Sequence, residues 1–463
     1  MNDKIKELFE IFKRNEFSDA KKLALKLEKK YKKNVVIYKI LGTIESQAGN
    51  YLDALKYFEK ALDLDPSSYE NLNNVGNALD DNGNYKEAIH YFKEALKIKP
   101  KNIHVMNNLG NALNSFGKPE EAVGYYKKAL KINPKFYQTY NNLGNALKKI
   151  GLLSDAIKSY QKSISIQSDY SKAHNNLGVA YMENADLADS FKSYKRALEI
   201  NPKNVDALWN IHPFSSNIDE ALRILNMCAK LDRHHIKAKL TIIALEFYRG
   251  NQQFYNQIKE SSLKDHPYVR SFNWVFSLKN LPRLFFDRWS FYDSMINMSD
   301  KYRPFYEFGV WRGKSFSYLI DKYKFGYGFD TFIGIPEDWY NEPKGSYTSD
   351  GYIPDIDGGE FIKGDFKETL PDFFSIDRPL ASLINFDADL YSSTICALKN
   401  SKNIIDEKTI LIFDEFILND DWENDEYKAL IEFCSENSLI YEVLGLSFYT
   451  KQVALRLKRL EKK

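Results

Sequence analysis

A glycine that returns every 34 residues constrains this chain more than any other feature: Gly42, Gly76, Gly110, Gly144 and Gly178. The rest of the unit keeps the same phase. Ala54, Ala88, Ala122, Ala156 and Ser190 lie 12 residues after each glycine, and Phe58, Phe92, Tyr126, Tyr160 and Tyr194 lie 16 after it. Ala61, Ala95, Ala129, Ser163 and Ala197 follow, and Pro66, Pro100, Pro134 and Pro202 close four of the units. Apolar residues inside each unit fall at helical spacing, interrupted by a turn, so each unit reads as two antiparallel helices. Small residues let those helices approach closely, the aromatic side chain fills the gap, and proline stops the second helix. A unit of this kind cannot bury its apolar face alone and must stack on its neighbours.

The period and its small and aromatic positions resemble the tetratricopeptide repeat. The likeness predicts an α-helical superhelix over residues 1–232. Residues 1–34 keep the phase at Ala20 without the glycine, as a capping unit would, and 205–232 read as a degenerate unit with Ala221 in the small place. Residues 233–266 allow one more helix pair, and 233–300 as a whole read as a helical bridge.

Asparagine also recurs on the first helix of each unit, at Asn73/Asn74, Asn107/Asn108, Asn141/Asn142 and Asn175/Asn176, with Asn77, Asn111 and Asn145 just after the glycine. Asparagine is a mediocre helix former, so its repetition asks for a reason. A side-chain amide donates and accepts, so a row of them can hold an extended peptide backbone. A similar ladder occurs in the repeats of O-GlcNAc transferases. The expected partner-binding residues are therefore Asn74, Asn108, Asn142 and Asn176, with a protein or peptide on the inner face. The alternative is that asparagine simply belongs to this repeat's consensus.

Charge divides the chain at about the place where the repeat ends. Residues 301–463 hold 20 Lys+Arg against 29 Asp+Glu, whereas the first 300 hold 45 against 34. Basic residues in the first part alternate with acidic ones along helices, as on a solvated face, which argues against nucleic acid. No run approaches the ~18 apolar residues of a membrane helix. The N-terminal MNDKIKELFEIFKRNEF is amphipathic and lacks the apolar core of a signal peptide. Three scattered cysteines, Cys228, Cys396 and Cys434, fit reduced thiols in a cytoplasmic protein.

After the aromatic stretch 267–300, short apolar runs alternate with helical ones, as in an α/β sheet. FYEFGVWRGKSFSYLI reads as a strand, a turn with Gly309 and Gly313, and a helix, with Glu307 near the strand end. Such a turn lets a nucleoside-type ligand approach the backbone and a helix N-terminus. GYGFDTFIGIP places Asp330 about 20 residues on, where a carboxylate meets ribose hydroxyls. Asp365 and Phe366 end a third run, Asp387 and Asp389 a fourth, and Asp414 and Glu415 a fifth. Each acidic cluster thus stands at the carboxyl end of a strand, the ligand-binding edge of open α/β sheets. IYEVLGLSFYTKQVALRLK reads as two final strands, the last antiparallel.

The series E-F-G-V-W-R-G-K-S, F-D-T-F-x-G-I-P, G-D-F-K-E-T-L-P, F-D-A-D-L-Y-S-S-T and I-F-D-E-F resembles the macrocin O-methyltransferase family, and more distantly catechol O-methyltransferase. The resemblance spans about residues 282–460. It implies, for residues 301–463, a Rossmann-like class I methyltransferase domain with a seven-stranded, mostly parallel sheet. It implies S-adenosylmethionine as cofactor, held by Glu307, Gly309, Gly313, Ser315, Asp330, Asp365 and Phe366. It implies magnesium on Asp387, Asp414 and Glu415, the last one methylene longer than the family's usual aspartate. The acceptor would be a sugar hydroxyl of a glycan or glycosylated compound. All seven histidines precede residue 267, so the base is sought among carboxylates: Asp389 first, beside Asp387, unless Asp389 caps the following helix. The polar segment 339–360 reads as an acceptor-binding lid. Two other readings stand beside this one: a repeat scaffold whose methyltransferase-like domain is inactive or only binds ligand, and a protein methyltransferase.

Overall fold

The computed structural model describes residues 3–184, 186–338, 344–345, 348–349, 351–388 and 390–460. The chain divides into two compact units, Met1–Pro202 and Lys203–Lys463.

The first unit is a stack of helix pairs, with Val35–Gln47 and Tyr51–Leu64 as the first full pair and Ser171–Glu183 with Leu187–Ile200 as the last. Asp3–Lys13 and Phe17–Lys30 form the capping pair. The repeat's residues have the jobs that their types suggest. A Cβ built on Gly110 would lie 2.4 Å from Tyr126 Cε1, and the same contact recurs at Gly42, Gly76, Gly144 and Gly178. Only glycine lets the ring seat there, and Phe92, Tyr126, Tyr160 and Tyr194 are almost wholly buried as a result.

The second unit begins with helical pieces. Val205–Ile211 and Ile218–Leu231 carry the degenerate repeat, with Ala221 fully buried. Ile236–Tyr248 and Gln253–Ile258 follow, then Pro267–Ser277. The contact boundary at Pro202 therefore assigns these helices to the second unit.

An eight-stranded sheet forms the rest: β1 (Arg283–Phe285), β2 (Phe305–Phe308), β3 (Gly326–Asp330), β4 (Gly359–Lys363), β5 (Leu383–Phe386), β6 (Ile410–Phe413), β7 (Leu439–Ser447) and β8 (Val453–Arg459). Their order is β1-β7-β8-β6-β5-β2-β3-β4. The five strands β4, β3, β2, β5 and β6 run parallel, and β8 is antiparallel to both its neighbours. The sheet has eight strands where seven were expected. Arg283–Phe285, inside the stretch read as a helical bridge, pairs in parallel with Gly445–Ser447. Three residues are too few to show an alternating pattern, so this edge strand left no periodic trace.

The central strands are buried along their whole length, which is why they read as continuous apolar runs. Phenylalanines at or next to the strand ends share one register row: Phe308 is paired with Phe329 and Phe386, and Phe386 with Phe413. The rings stack in sequence at 4.9, 5.5 and 4.8 Å. This aromatic row floors the carboxyl edge of the sheet.

Candidate functional site

The turn after β2 begins just beyond that row. β2 lies between β3 and β5, so the chain leaves it towards one side and returns on the other. Such a reversal opens a crevice at the carboxyl ends of the strands. Gly309 stands in it with φ +92°, and a Cβ there would lie 1.9 Å from the carbonyl oxygen of Asp387. No other residue lets the two strand ends come this close.

A cavity of about 410 Å³ occupies the crevice, a size that suits a cofactor or small ligand. Gly309, Asp330, Asp365, Phe366, Asp387, Asp414 and Glu415 all line it, so five separate turns contribute predicted site residues to one place. Trp311, Ile335 and Pro336 supply apolar wall, and Arg288, Lys367 and Cys396 also face in. Trp311 has φ 48° and its indole N–H donates to the Thr348 carbonyl at 3.0 Å. Asp389, the first choice as base, lies outside the described residues, as does most of 339–350; the idea of a lid rests largely on that stretch.

Asp330 also organises the backbone around it. Its Oδ2 accepts the backbone N–H groups of Val310 and Trp311, at 2.7 and 2.6 Å, and its Oδ1 accepts that of Phe332 at 2.6 Å. A carboxylate offers about four acceptor directions. Two of these bonds shape the glycine turn and one the turn after β3, which leaves room for one ribose hydroxyl rather than two. Asp365 caps the helix Phe366–Phe373 through the Lys367 N–H at 2.8 Å. Phe366 stands 5.8 Å from the Phe308 ring, in position to cover a flat group.

Three predicted contacts are not in the cavity wall. Gly313 packs on Pro354, and Ser315 is buried in the first turn of Lys314–Tyr323. Glu307 is fully buried beneath the turn. Its Oε1 accepts from Asn385 Nδ2 at 2.7 Å, whose Oδ1 accepts from the Tyr292 hydroxyl at 2.8 Å. Glu307 Oε2 is left without a partner. Burial pushes this carboxyl up to about 8, against the hydrogen bonds of Ser315 and Asn385. Sequence position near a glycine turn cannot tell a wall residue from one just below it.

The acidic corner also differs from expectation. Asp414, itself 6% exposed, forms an ion pair with Arg288 at 2.7 Å through Oδ2, and its Oδ1 accepts from Gln452 Nε2. Glu415 turns to Lys451, 2.7 Å away, which also donates to Asn419. Among the described residues, no three His, Cys, Asp or Glu side chains gather so as to hold a metal ion. The arrangement of Asp387, Asp414 and Glu415 does not fit the expected magnesium site, because protein cations already face two of the three. Sequence reasoning missed Arg288, Lys451 and Gln452. Arg288 sits in the aromatic stretch read as a bridge, and the other two lie in the β7–β8 turn, with no motif to mark them.

In the repeat unit the asparagines bond to one another. Asn108 Nδ2 donates to Asn73 and Asn77, at 3.1 and 2.9 Å, and Asn176 Nδ2 donates to Asn141 and Asn145, at 2.9 and 3.1 Å. Asn142 reaches Asn107 at 3.1 Å. The Tyr126 and Tyr160 hydroxyls donate to Asn111 and Asn145. Two buried acceptors, Asp80 Oδ1 and Asn114 Oδ1, stand one period apart without a partner. Burial, then Asp81, pushes Asp80 up to about 6.

Tetratricopeptide-repeat family models match residues 12–69, 40–103, 105–136, 125–158, 150–184 and 171–204. The first unit is therefore a tetratricopeptide-repeat array. Among solved structures, the chain is similar to MamA (26% identity, 36% of this chain and 92% of that one, TM-score 0.31). It is also similar to YrrB, described as a TPR protein with an unusual peptide-binding site (24%, 40% and 96%, TM-score 0.31). A third is a thermophilic TPR protein of Thermus thermophilus (22%, 38% and 97%, TM-score 0.36). No curated protein matches the chain in sequence. Among the described residues, no helix is long and apolar enough to cross a membrane.

Proposed function

We propose that the second unit is an S-adenosylmethionine-dependent O-methyltransferase and that the repeat array brings a protein or peptide partner to it. One observation carries the first half: the turns after five parallel strands deliver Gly309, Asp330, Asp365, Asp387 and Asp414 to a single cavity at the strand reversal. The glycine cradle, the remaining acceptor direction of Asp330 and the face of Phe366 suit an adenosine. The bound cofactor supplies the methyl group on a sulfonium. What remains for the chain is to align an acceptor oxygen and take its proton. We assign that role to Asp387, which lines the cavity beside Gly309. The chain's own part would be the proton, which the carboxylate would accept from the hydroxyl and release to water. A sugar hydroxyl of a glycan or glycosylated compound is the acceptor class that the motif resemblance favours.

The second half rests on the array. Stacked repeats of this kind present an extended surface on which a peptide segment can lie.

Calorimetric titration of the full chain with S-adenosylmethionine tests the enzyme reading. Binding is expected, with roughly tenfold weakening in Phe366→Ala, as one lost aromatic stack would give. A flat titration of the folded wild type would sink the assignment. Tight binding that is indifferent to Phe366 would move the cofactor elsewhere.

A further inference from the structure

We infer that this site carries its own cations, Arg288 and Lys451, where the motif pattern calls for a divalent metal, and that it works without one. The inference rests on the methyltransferase reading of the cavity. Its own support is the geometry of the acidic corner.

Asp387, Asp414 and Glu415 end two neighbouring strands, and three carboxylates at one edge need positive charge nearby. Two side chains from distant parts of the chain provide it. Arg288 is the first residue of the helix Arg288–Met298, and its Nη2 lies 2.7 Å from Asp414 Oδ2 while the residue faces the cavity. Lys451 comes from the turn between β7 and β8 and lies 2.7 Å from Glu415 Oε2. Gln452, next in sequence and fully buried, donates to the other oxygen of Asp414. A metal ion would have to share Asp414 with both donors and turn Glu415 away from Lys451. It would then sit beside a guanidinium, a like charge in a half-enclosed cleft.

The substitution has a chemical sense. A guanidinium has five N–H donors, and one ion pair with Asp414 leaves others for the cavity. These can stabilise negative charge on an acceptor oxygen as its proton leaves, which is the service a Lewis-acid metal gives. Arg288 is then a positioning and charge-stabilising residue, and Asp414 and Gln452 fix its orientation.

Thermal melting of chelator-treated full-length protein in magnesium or manganese chloride tests this. The wild-type melting temperature and its S-adenosylmethionine affinity should be the same with chelator and with either metal. Arg288→Met keeps most of the side-chain stem and uncovers Asp414 and Asp387. It should gain a metal-dependent rise of about 2–4 °C or more, the shift that modest ligand binding gives a unit of this size. A metal-dependent rise in the wild type would overturn the inference. So would a folded Arg288→Met that ignores both metals. If Arg288→Met fails to fold, the wild-type arm decides alone. Failure of S-adenosylmethionine to bind would remove the cofactor reading, yet leave the melting comparison to judge the cation assignment.

Discussion

In the repeat array, Asn108 and Asn176 each hand their amide hydrogens to two asparagines of the preceding unit. In the α/β unit, Asp330 gathers three backbone N–H groups from two turns, while Glu307 keeps one buried oxygen unpaired. Both regions bury polar groups, but for different ends. The array repeats one modest arrangement, so Asn108, Asn142 and Asn176 each meet an asparagine of the preceding unit, while Asp80 and Asn114 keep an acceptor unpaired. The α/β unit brings residues from five turns together once, and the strain of doing so collects at Gly309 and Glu307. Polar residues that recur with the helix period are first of all glue. Polar residues that converge from separate strands make a site.

This contrast can be broken most forcefully at Gly309. Gly309→Ala places a methyl group against the Asp387 backbone at positive φ. Strain and collision together should cost about 4 kcal/mol, read as a lower urea midpoint, and cofactor affinity should fall with it. Near-neutral stability would mean that the strand ends are looser than described.

Glu307 sharpens the comparison through pH. Its folded-state value, about 8, lies above the ordinary 4.5. Stability from this group is therefore complete below pH 4.5 and is lost as pH rises through 8. Over that window the wild type should lose roughly 5 kcal/mol relative to Glu307→Gln. Parallel pH–stability curves for the two proteins would show that Glu307 ionises normally.

The smallest effect is expected in the array. The sequence alone suggests that alanine at Asn74, Asn108, Asn142 and Asn176 leaves the fold intact, because alanine favours helix. The inter-unit bonds change that expectation. Asn176→Ala should cost about 1 kcal/mol net: two inter-unit hydrogen bonds and a long one from Asn175 lost, less the helix-propensity gain. Asn74→Ala, which breaks no described side-chain bond, should be neutral or slightly stabilising. Equal effects at both positions would contradict the pairing.

Much of this architecture is legible in the sequence. The 34-residue period sets the helix pairs, because five in-phase copies of glycine and aromatic leave little freedom. The parallel strands are readable because fully buried strands are continuous apolar runs ending in turn residues. Residues 283–285 are not, being too short to carry a period. The ion pairs are not either: Arg288 and Asp414 lie 126 positions apart, and no local pattern links a helix's first residue to a distant strand end. The motif resemblance puts Glu307 near an expected cofactor, but whether it lines the wall or lies beneath it depends on packing.

Hydrogen exchange of the full-length protein with and without S-adenosylmethionine tests the central claim most directly. The account predicts slower exchange in the turns after β2, β3, β4 and β5, with amides across residues 35–200 unchanged. Cofactor-dependent protection confined to the repeats, or none at these turns when the cofactor is bound, would contradict it.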